Sequence, residues 1–359
     1  SVVAMMSKLS SSPIKTFSIG FDDPRYNELA YAKRVAEHFG TVHTEFVVKP
    51  AMMDVMPELV RRFGEPFADS SCIPTYYVSK LTREHVTVAL NGDGADESFA
   101  GYDRYLAVVL SEYLTKACAI IPARIWNRVV AALPAHQDQR AFLYRIRRFL
   151  SAIKGPFGQR YKRWMSSFSD LDLEQLYLAS CHEEIQSAQG SDEVIALLNV
   201  SETADVIKLL LGTELQSYLP GDLLVKMDIT SMANSLEARS PFLDHTVVEY
   251  AWALGSQYKL RGICSKYILK KTFKDILPRE ILGRKKTGFG VPVRQWFMHE
   301  LKDYVKEMLL DRDAFGSQYF NCAYIENMVN EHVTGRWNHD RSLWTLVALE
   351  LWYRHCFKN

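Results

Sequence analysis

The amino-acid sequence predicts an α/β fold in which a parallel, doubly wound sheet is followed by a mainly helical region. Over the first hundred residues, short strand-like runs alternate with helix-length segments, which is typical of parallel strands joined by crossover helices. Beyond Tyr105, strand-like runs almost vanish, and helical segments separated by short proline or glycine turns continue to the end of the chain. We therefore place a boundary near residue 105 and expect the helical region, residues 106–359, to pack directly on the sheet.

The individual elements follow from the spacing of apolar residues and from the turn residues between them. Residues 27–39 carry apolar side chains at helical spacing, and Gly40 suits the position just after a helix end. The apolar run VTVAL at residues 86–90 is short, as expected of a buried strand. In order, we predict a helix at 2–9, a strand at 14–21, a helix at 27–39, a strand at 42–48, helices at 51–63 and 73–82, and a strand at 86–90.

The composition excludes several classes of protein. Hydrophobic residues make up 48% and charged residues 24% of the 359 positions, which excludes disordered and collagen-like chains. The 43 basic and 42 acidic residues nearly cancel, so binding to nucleic acid or to a membrane surface would need a local basic patch. The most apolar stretch, residues 342–357, is too short to span a bilayer and predicts an amphipathic packing helix. Because no secretory signal opens the chain and the six cysteines lie far apart, we expect reduced thiols and a cytoplasmic protein.

An acidic segment, NGDGADESFAGY (Asn91–Tyr102), follows VTVAL directly. Its three carboxylates within five residues are Asp93, Asp96 and Glu97. In an open α/β sheet, ligands bind beyond the carboxyl ends of the strands, and Gly92 and Gly94 would let the backbone approach a phosphate. Carboxylates would repel a nucleotide there unless a cation intervened, which predicts Mg²⁺ between carboxylate and phosphate. The alternative is a tight turn whose acids complement a helix dipole, and it explains one acid better than three.

Two further segments carry charges that need an explanation. Residues 266–286 contain eight basic side chains and two acidic ones, and the turn KKTGFG, residues 285–290, begins at their end. A helix that begins after Ser265 and ends at Pro278 would put Lys266, Lys270 and Lys274 on one stripe. A phosphate clamp and a solvated helix face are equally open for this segment.

In the mostly apolar helical segment 221–245, we regard an ion-pair network as at least as good an explanation as substrate contact for every charge except Arg239. These charges are Asp222, Lys226, Asp228, Glu237, Arg239 and Asp244.

The segments NGDGADESFAGY, LLVKMDITSMANSLEARSPFLDH and KYILKKTF-x-x-x-LP-x-x-IL-x-RKKTGFGVP, in this order, resemble the synthetase domain of glutamine-dependent asparagine synthetases and related amidotransferases. The resemblance covers nearly the whole chain. It implies a fold of the ATP-pyrophosphatase (adenine nucleotide alpha hydrolase-like) type, with residues 1–105 as the nucleotide-binding α/β part and residues 106–359 completing the synthetase domain. In this family a substrate carboxylate, here aspartate, attacks the α-phosphorus of ATP, pyrophosphate leaves, and ammonia from glutamine displaces AMP to give the amide, asparagine.

The resemblance also implies roles for individual residues. Asp96 becomes a Mg²⁺ ligand, Lys266 and Lys286 contact pyrophosphate, and Asp93 takes the position of an acidic residue important for the adenylate. The implied ATP contacts are Asn91, Gly92 and the backbone of Ile19 in TFSIGF, which would receive the adenine. For the substrate carboxylate, Arg239 is our candidate partner.

The sequence departs from the family pattern at its start. The family's pyrophosphate-binding loop, S-G-G-x-D-S-S, precedes a helix like residues 2–9, and only its last serine matches here, as Ser1. The glutaminase domain with its nucleophilic cysteine also lies outside this chain. We therefore expect a fragment, inactive alone, whose parent chain carries a glutaminase domain, and a homodimer is left open. The alternatives are amidation of another carboxylate, such as a sugar acid or an exopolysaccharide precursor, or a catalytically silent nucleotide-binding module.

Overall fold

The computed structural model describes residues 1–118, 120–132, 142–188, 193–200, 205–284, 288 and 290–358. Within them the protein is a mixed α/β structure, mostly helical, with two small parallel sheets. By its contacts the chain divides into two compact units. The first unit consists of Ser1–Arg62, Asp69–Leu106 and Thr203–Pro292, and the second of Phe63–Ala68, Ala107–Glu202 and Val293–Asn359.

The four strands are β1 (Lys15–Phe21), β2 (Val42–Val48), β3 (Val88–Leu90) and β4 (Glu237–Arg239). The helices are α1 (Val2–Leu9), α2 (Leu29–Phe39), α3 (Met56–Phe63), α4 (Cys72–Arg83), α5 (Ala95–Phe99), α6 (Asp103–Ala117), α7 (Ala123–Ala131), α8 (Phe142–Ala152), α9 (Phe157–Met165), α10 (Asp170–Leu176), α11 (His182–Ala188), α12 (Glu193–Val200), α13 (Val206–Gln216), α14 (Val225–Met232), α15 (His245–Ala253), α16 (Ser256–Lys259), α17 (Tyr267–Thr272), α18 (Arg279–Gly283), α19 (Val293–Met298), α20 (Lys302–Leu310), α21 (Cys322–Val333) and α22 (Asp340–Cys356). Short 3₁₀ turns span Pro50–Val55, Ala179–Cys181, Pro241–Leu243 and Phe315–Gln318, and a π-helical turn spans Leu219–Leu224.

The first sheet consists of β1 and β2, which pair in parallel with Lys15 opposite Val42. The helix between them, α2, ends at Gly40, whose left-handed φ of 62° is the conformation expected of a glycine that follows a helix. Helices α2 and α4 pack against this sheet. The strand–helix–strand order predicted for residues 14–48 is therefore present.

The second sheet pairs β3 in parallel with β4, with Val88 opposite Glu237 and Leu90 opposite Arg239. The sequence predicted no strand in the segment that contains β4. This pairing helps to explain why Thr203–Pro292, which the sequence alone assigns to the helical region, belongs by its contacts to the first unit. The break after Leu106 lies next to the predicted boundary.

Two predicted helices differ in the structure. Over residues 51–63, a 3₁₀ turn precedes α3, which begins at Met56. Pro57 explains the late start, because proline fits the first turn of a helix but has no N–H to donate in its interior. Helix α17 begins after Lys266, not after Ser265, and ends at Thr272, well before Pro278.

The second unit is built around α22, the helix predicted at residues 342–357. Nine of its 17 residues are buried, and it packs against α19, α20 and α21. Phe297 of α19 stacks on Trp344, with ring centroids 6.2 Å apart. Among the described helices, none has both the length and the apolar character needed to cross a membrane.

Candidate active site

The acidic segment begins as a tight loop at the carboxyl end of β3. The Asn91 backbone N–H donates to the Arg239 carbonyl at 2.9 Å, which continues the β3–β4 ladder by one bond. Gly94 follows with a left-handed φ of 86°, and a Cβ at this position would overlap the side chain of Leu243. Both the backbone conformation and the close packing therefore require glycine here.

Asn91 holds the first carboxylate of the loop in place. Its side-chain amide donates to Asp93 Oδ2 at 2.9 Å, and its Oδ1 accepts the Asp93 backbone N–H at 3.3 Å. The same Oδ1 also accepts the hydroxyl of Ser240, which follows β4. The side chain of Asn91 thus joins Asp93 to the neighbouring strand, while Gly92 is exposed with open space beside it.

Lys266 and Asp96 meet at this loop although they are far apart in the sequence. Lys266 Nζ lies 2.9 Å from Asp96 Oδ1, and both side chains are largely buried. Gly101 packs against this pair, because a Cβ there would overlap Asp96 Oδ1 and Lys266 Cε. Its N–H donates to the Asp96 carbonyl at 2.9 Å, and Lys266 itself adopts a left-handed φ of 51°. A non-glycine residue in this conformation is uncommon, and such residues cluster at functional sites.

The first turn of α1 lies near the same lysine. The Ser1 nitrogen, which precedes α1, is largely buried and lies within electrostatic range of the Lys266 ammonium. The N-terminus of an α-helix carries a partial positive charge from its free N–H groups. This end of α1 and the Lys266 ammonium therefore form a positive region beside Asp96.

Glu97, the third acid of the segment, faces the interior. It is only 1% exposed and accepts a hydrogen bond from the Tyr102 hydroxyl. Burial raises the pKa of its carboxyl group. Asp96 and Glu97 are neighbours in α5, and successive helical residues point about 100° apart, so the two cannot both face one ligand.

A buried lysine lies beside Asp93. Lys226 of α14 is 8% exposed and donates to Asp69 Oδ2 at 2.6 Å and to Ser71 Oγ at 2.8 Å. Burial alone would lower the pKa of Lys226, but the Asp69 charge and hydrogen bond, with smaller contributions from Asp222 and Asp93, raise it. Asp93 therefore lies close enough for its charge to act on Lys226.

The partners of Lys226 have opposite pKa shifts. Burial opposes ionisation of Asp69, but the Lys226 charge and the hydrogen bonds from Lys226 and Ser71 outweigh it, so the pKa of Asp69 is lowered. Burial, and then the negative charge of Asp69, raises the pKa of Asp222 to about 7. Lys226 therefore lies in an ion-pair network, the structural explanation that the sequence offered for it. We call Asp69, Ser71, Asp222 and Lys226 the lysine cluster.

The sequence did not identify Asp69 as the partner of Lys226. The available signal was that a lysine in an apolar helix needs an acidic partner, but the sequence does not say which acid that is. Asp69 lies 157 positions from Lys226, and only the packing of α4 against α14 brings them together.

The remaining predicted residues lie in different places. Arg239 has a side chain that is 66% exposed, and its Nε donates to Glu237 Oε1 at 2.6 Å. Ile19 lies in β1, where it pairs with Phe46 of β2. It therefore belongs to the first sheet, whereas the acidic segment follows β3 of the second sheet. Lys286 lies outside the described residues. The structure thus brings Asn91, Gly92, Asp93, Asp96 and Lys266 to one loop, with the Arg239 backbone beside it.

The described residues contain no group of three or more His, Cys, Asp or Glu side chains that could hold a metal ion by themselves. Magnesium in phosphate-transfer sites typically uses one or two carboxylates, with substrate phosphates and water as its other ligands. Asp96, which contacts Gly101 and Lys266 at the start of α5, fits that arrangement, and Asp93 supplies a further carboxylate three residues earlier in the chain.

The chain is similar in sequence to several known proteins. The chain is 28% identical over 365 residues to asparagine synthetase (glutamine-hydrolyzing) 1 of Bacillus subtilis, covering 98% of this chain and 54% of that protein. It is 32% identical over 343 residues to a putative asparagine synthetase (glutamine-hydrolyzing) of Mycobacterium bovis, covering 94% and 50%. A more distant relative, the amidase chyE of Penicillium rubens, is 23% identical over 335 residues, covering 83% and 46%.

The chain thus spans about half the length of these curated relatives. The family model described as asparagine synthase matches residues 1–354. Because this match takes in nearly all of the sequence, including the acidic loop and the segment around Lys266, the chain belongs to the asparagine synthase family.

Proposed function

We propose that this chain is the synthetase part of an ATP-dependent amide-forming ligase. It activates the side-chain carboxylate of aspartate as an acyl-adenylate with release of pyrophosphate, and ammonia from glutamine then gives asparagine. The observation that carries the proposal is the contact between Lys266 and Asp96 at the carboxyl end of β3, about 170 positions apart in the sequence. A cation and a carboxylate fixed together at such an edge suit the binding of a polyphosphate with its metal ion.

Asp96 would hold Mg²⁺ in this proposal, with Asp93 as the nearest further carboxylate. The bound ion would neutralise charge on the phosphates of ATP and on the departing pyrophosphate. The loop suits this purpose because Gly101, which has no Cβ, leaves room for the Asp96 carboxylate and the Lys266 side chain to lie side by side.

Lys266 would stabilise the charge that develops on pyrophosphate as it leaves, together with the N-terminus of α1 and with Lys286. Asn91 and Gly92 would contact ATP, and the Ile19 backbone would receive the adenine, as the family resemblance implies. Asp93 would support formation of the adenylate beside the lysine cluster.

Arg239 remains our candidate for the substrate carboxylate. Its guanidinium is engaged by Glu237, but exposed ion pairs of this kind contribute only about 0–1 kcal/mol, so a substrate carboxylate could replace Glu237 at little cost. A bidentate carboxylate partner is the ligand that an arginine fork suits best.

The relatives bear on the substrate and the nitrogen donor. Two of them are named glutamine-hydrolyzing asparagine synthetases, which supports aspartate as substrate and a glutaminase domain as partner in the full-length polypeptide. The third is named an amidase, so the names of the relatives do not all specify aspartate. The second candidate, which the family resemblance implies, is another carboxylate such as a sugar acid or an exopolysaccharide precursor. The ATP-pyrophosphatase type of doubly wound sheet, the cytoplasmic location and a homodimer remain predictions.

The test is an aspartate-dependent ATP–pyrophosphate exchange assay on the natural full-length polypeptide. We expect Asp96→Asn and Lys266→Ala to lower exchange on the order of 10²–10³-fold while glutamine hydrolysis and the melting temperature stay near those of the parent. The matched control is Asp303→Asn, the same chemical change at an exposed position of α20, which should leave exchange unchanged.

Two results would contradict the proposal. Exchange that is unaffected by Asp96→Asn would remove the carboxylate from the mechanism. ATP binding without exchange for aspartate or for any other carboxylate would instead favour a silent nucleotide-binding module. Exchange with a sugar acid but not with aspartate would keep the reaction class and change the substrate.

A further inference from the structure

A buried charge network contacts the acidic segment through Tyr102 and has no role in the proposed reaction. At its centre, Glu214 of α13 is fully buried, with 0% of its surface exposed. Its carboxylate accepts two hydrogen bonds from the Arg104 guanidinium, one from Nε and one from Nη2 at 2.9 Å, and a third from the Tyr105 hydroxyl. A charged fork of this kind is both strong and directional, so it fixes the start of α6 on α13.

The network reaches the loop through Tyr102. The Arg104 guanidinium lies 3.7 Å from the centroid of the Tyr102 ring and 4.7 Å from that of Tyr218, and because the two rings are inclined by 76° it occupies the corner between them. The Tyr102 hydroxyl donates to Glu97, the buried acid of α5. Arg104 therefore determines the position of a ring that in turn fixes α5.

The loop is short enough for this constraint to reach Asp96. Between α5 and Tyr102 there are only two residues, Ala100 with a left-handed φ of 53° and Gly101. Gly101 touches both Asp96 Oδ1 and the Lys266 side chain closely enough to exclude a Cβ. A displacement of Tyr102 would move Gly101, and the contact that aligns the Asp96 carboxylate would be lost.

We propose that Arg104 and Glu214 are positioning residues, which act through Tyr102 and Gly101 to hold Asp96 in the orientation that binds the metal ion. The inference rests on the proposed function of Asp96. Neither residue needs to touch substrate, and the pair lies in the first unit with the loop it supports. Outer residues that orient a metal ligand typically change metal affinity or activity by 10–100-fold when they are substituted.

The experiment measures Mn²⁺ binding by electron paramagnetic resonance in the presence of inorganic pyrophosphate, on the natural full-length polypeptide. The variants are Arg104→Lys, which keeps the charge but loses the bidentate fork, and Glu214→Gln, which keeps the shape but loses the charge. We expect each to weaken Mn²⁺ binding about tenfold. The Mg²⁺ concentration for half-maximal exchange should rise by a similar factor, with most of the rate recovered at saturating Mg²⁺.

The matched control is Arg160→Lys in the second unit. Arg160 is another buried arginine, 3% exposed, that pairs with a glutamate, Glu112. The same substitution there should lower the melting temperature without changing Mn²⁺ affinity. If Arg104 had only a structural role, Arg104→Lys would likewise lower the melting temperature without changing Mn²⁺ affinity. The Mn²⁺ titration therefore distinguishes a positioning role from a structural one.

Each remaining outcome has a defined meaning. Folded Arg104→Lys or Glu214→Gln protein with parental Mn²⁺ affinity would overturn the inference. If both variants fail to fold, Tyr102→Phe tests the same connection, and parental affinity in that variant, or its unfolding, would also overturn the inference. Asp96→Asn serves as the reference: if it leaves Mn²⁺ binding unchanged, the proposed function fails first, whereas a normal Asp96 effect with unaffected network variants refutes only the positioning role.

Discussion

Asp222 shows how a single residue can carry the pH dependence of the lysine cluster. The cluster contains two carboxylates, on Asp69 and Asp222, but one ammonium, on Lys226. Because Lys226 bonds directly to Asp69, the second carboxyl group is left in a buried place beside a negative charge. Burial and that charge raise the pKa of Asp222 to about 7, so it holds a proton in the folded protein below that pH.

We predict that Asp222→Asn flattens the pH dependence of stability. The folded pKa lies above the unfolded value of about 3.9, so the parent protein loses stability as pH rises from about 4 to about 7, where only the unfolded chain has released the proton. The variant should be more stable than the parent at pH 8, by about 2 kcal/mol after allowance for water access, and similar to it near pH 4.

Urea unfolding of both proteins between pH 4 and pH 8 checks this. The control is Asp228→Asn, the same chemical change at an exposed carboxylate of α14. A stability difference between Asp222→Asn and the parent that stays constant over the range would show that Asp222 is ionised throughout.

The residues of the site differ in how far the sequence could predict them. Asn91, Gly92, Asp93 and Asp96 belong to one continuous segment after a strand, so their proximity is local and the sequence indicates it. The orientation of Glu97 depends on where α5 begins, which apolar spacing does not define to one residue.

At the scale of elements, local signals predicted the long regular segments and missed the short irregular ones. Strands β1 and β2 carry apolar and β-branched runs bounded by turns, and they form where the sequence predicts them. Strand β4 has only three residues, two of them the charged Glu237 and Arg239, and it is a strand because β3 lies beside it. No local pattern contains that information.

Helix α22 supplies the element-scale prediction. Leu343 is fully buried in the core of the second unit, so Leu343→Ala leaves a cavity and should lower the free energy of unfolding by about 2–5 kcal/mol. Urea unfolding followed by tryptophan fluorescence measures the loss. Leu171→Ala, at a leucine of α10 that is 66% exposed, should change stability by less than about 0.5 kcal/mol. Equal effects of the two substitutions would mean that α22 is not a core helix.

At the scale of the whole molecule, the chain leaves the first unit after Leu106 and rejoins it at Thr203. Thr203–Pro292 contributes β4, α13 and α14 to a unit that begins at Ser1. A boundary at residue 105 follows from the change in local pattern, but the later return of the chain depends on non-local pairing. The local pattern therefore indicates where the character of the chain changes and not which segments complete a unit.

We predict that residues 1–105 expressed alone do not form a cooperative structure. The fragment would lose β4 as the partner of β3, Lys226 as the partner of Asp69, and the α14 face that covers α4. Thermal unfolding by circular dichroism and the dispersion of an amide NMR spectrum test this, with the natural full-length polypeptide as reference. A sharp transition and dispersed signals from residues 1–105 would show that they fold independently.

The π-helical turn Leu219–Leu224 makes the orientation of α14 depend on the number of residues in this turn. A π-helical turn accommodates one more residue than the α-helical turn it replaces, and Pro220, which has no N–H to donate, lies within it. Removal of a single residue there would restore an α-helical path and leave α14 close to its present orientation, whereas a further inserted residue, with no additional widening to absorb it, would rotate α14 by about 100° about its axis. The ammonium of Lys226 would swing away from Asp69, leaving buried acids without their counter-ion. The gain of one codon in this turn would therefore disrupt the cluster even though every charged side chain in it was retained.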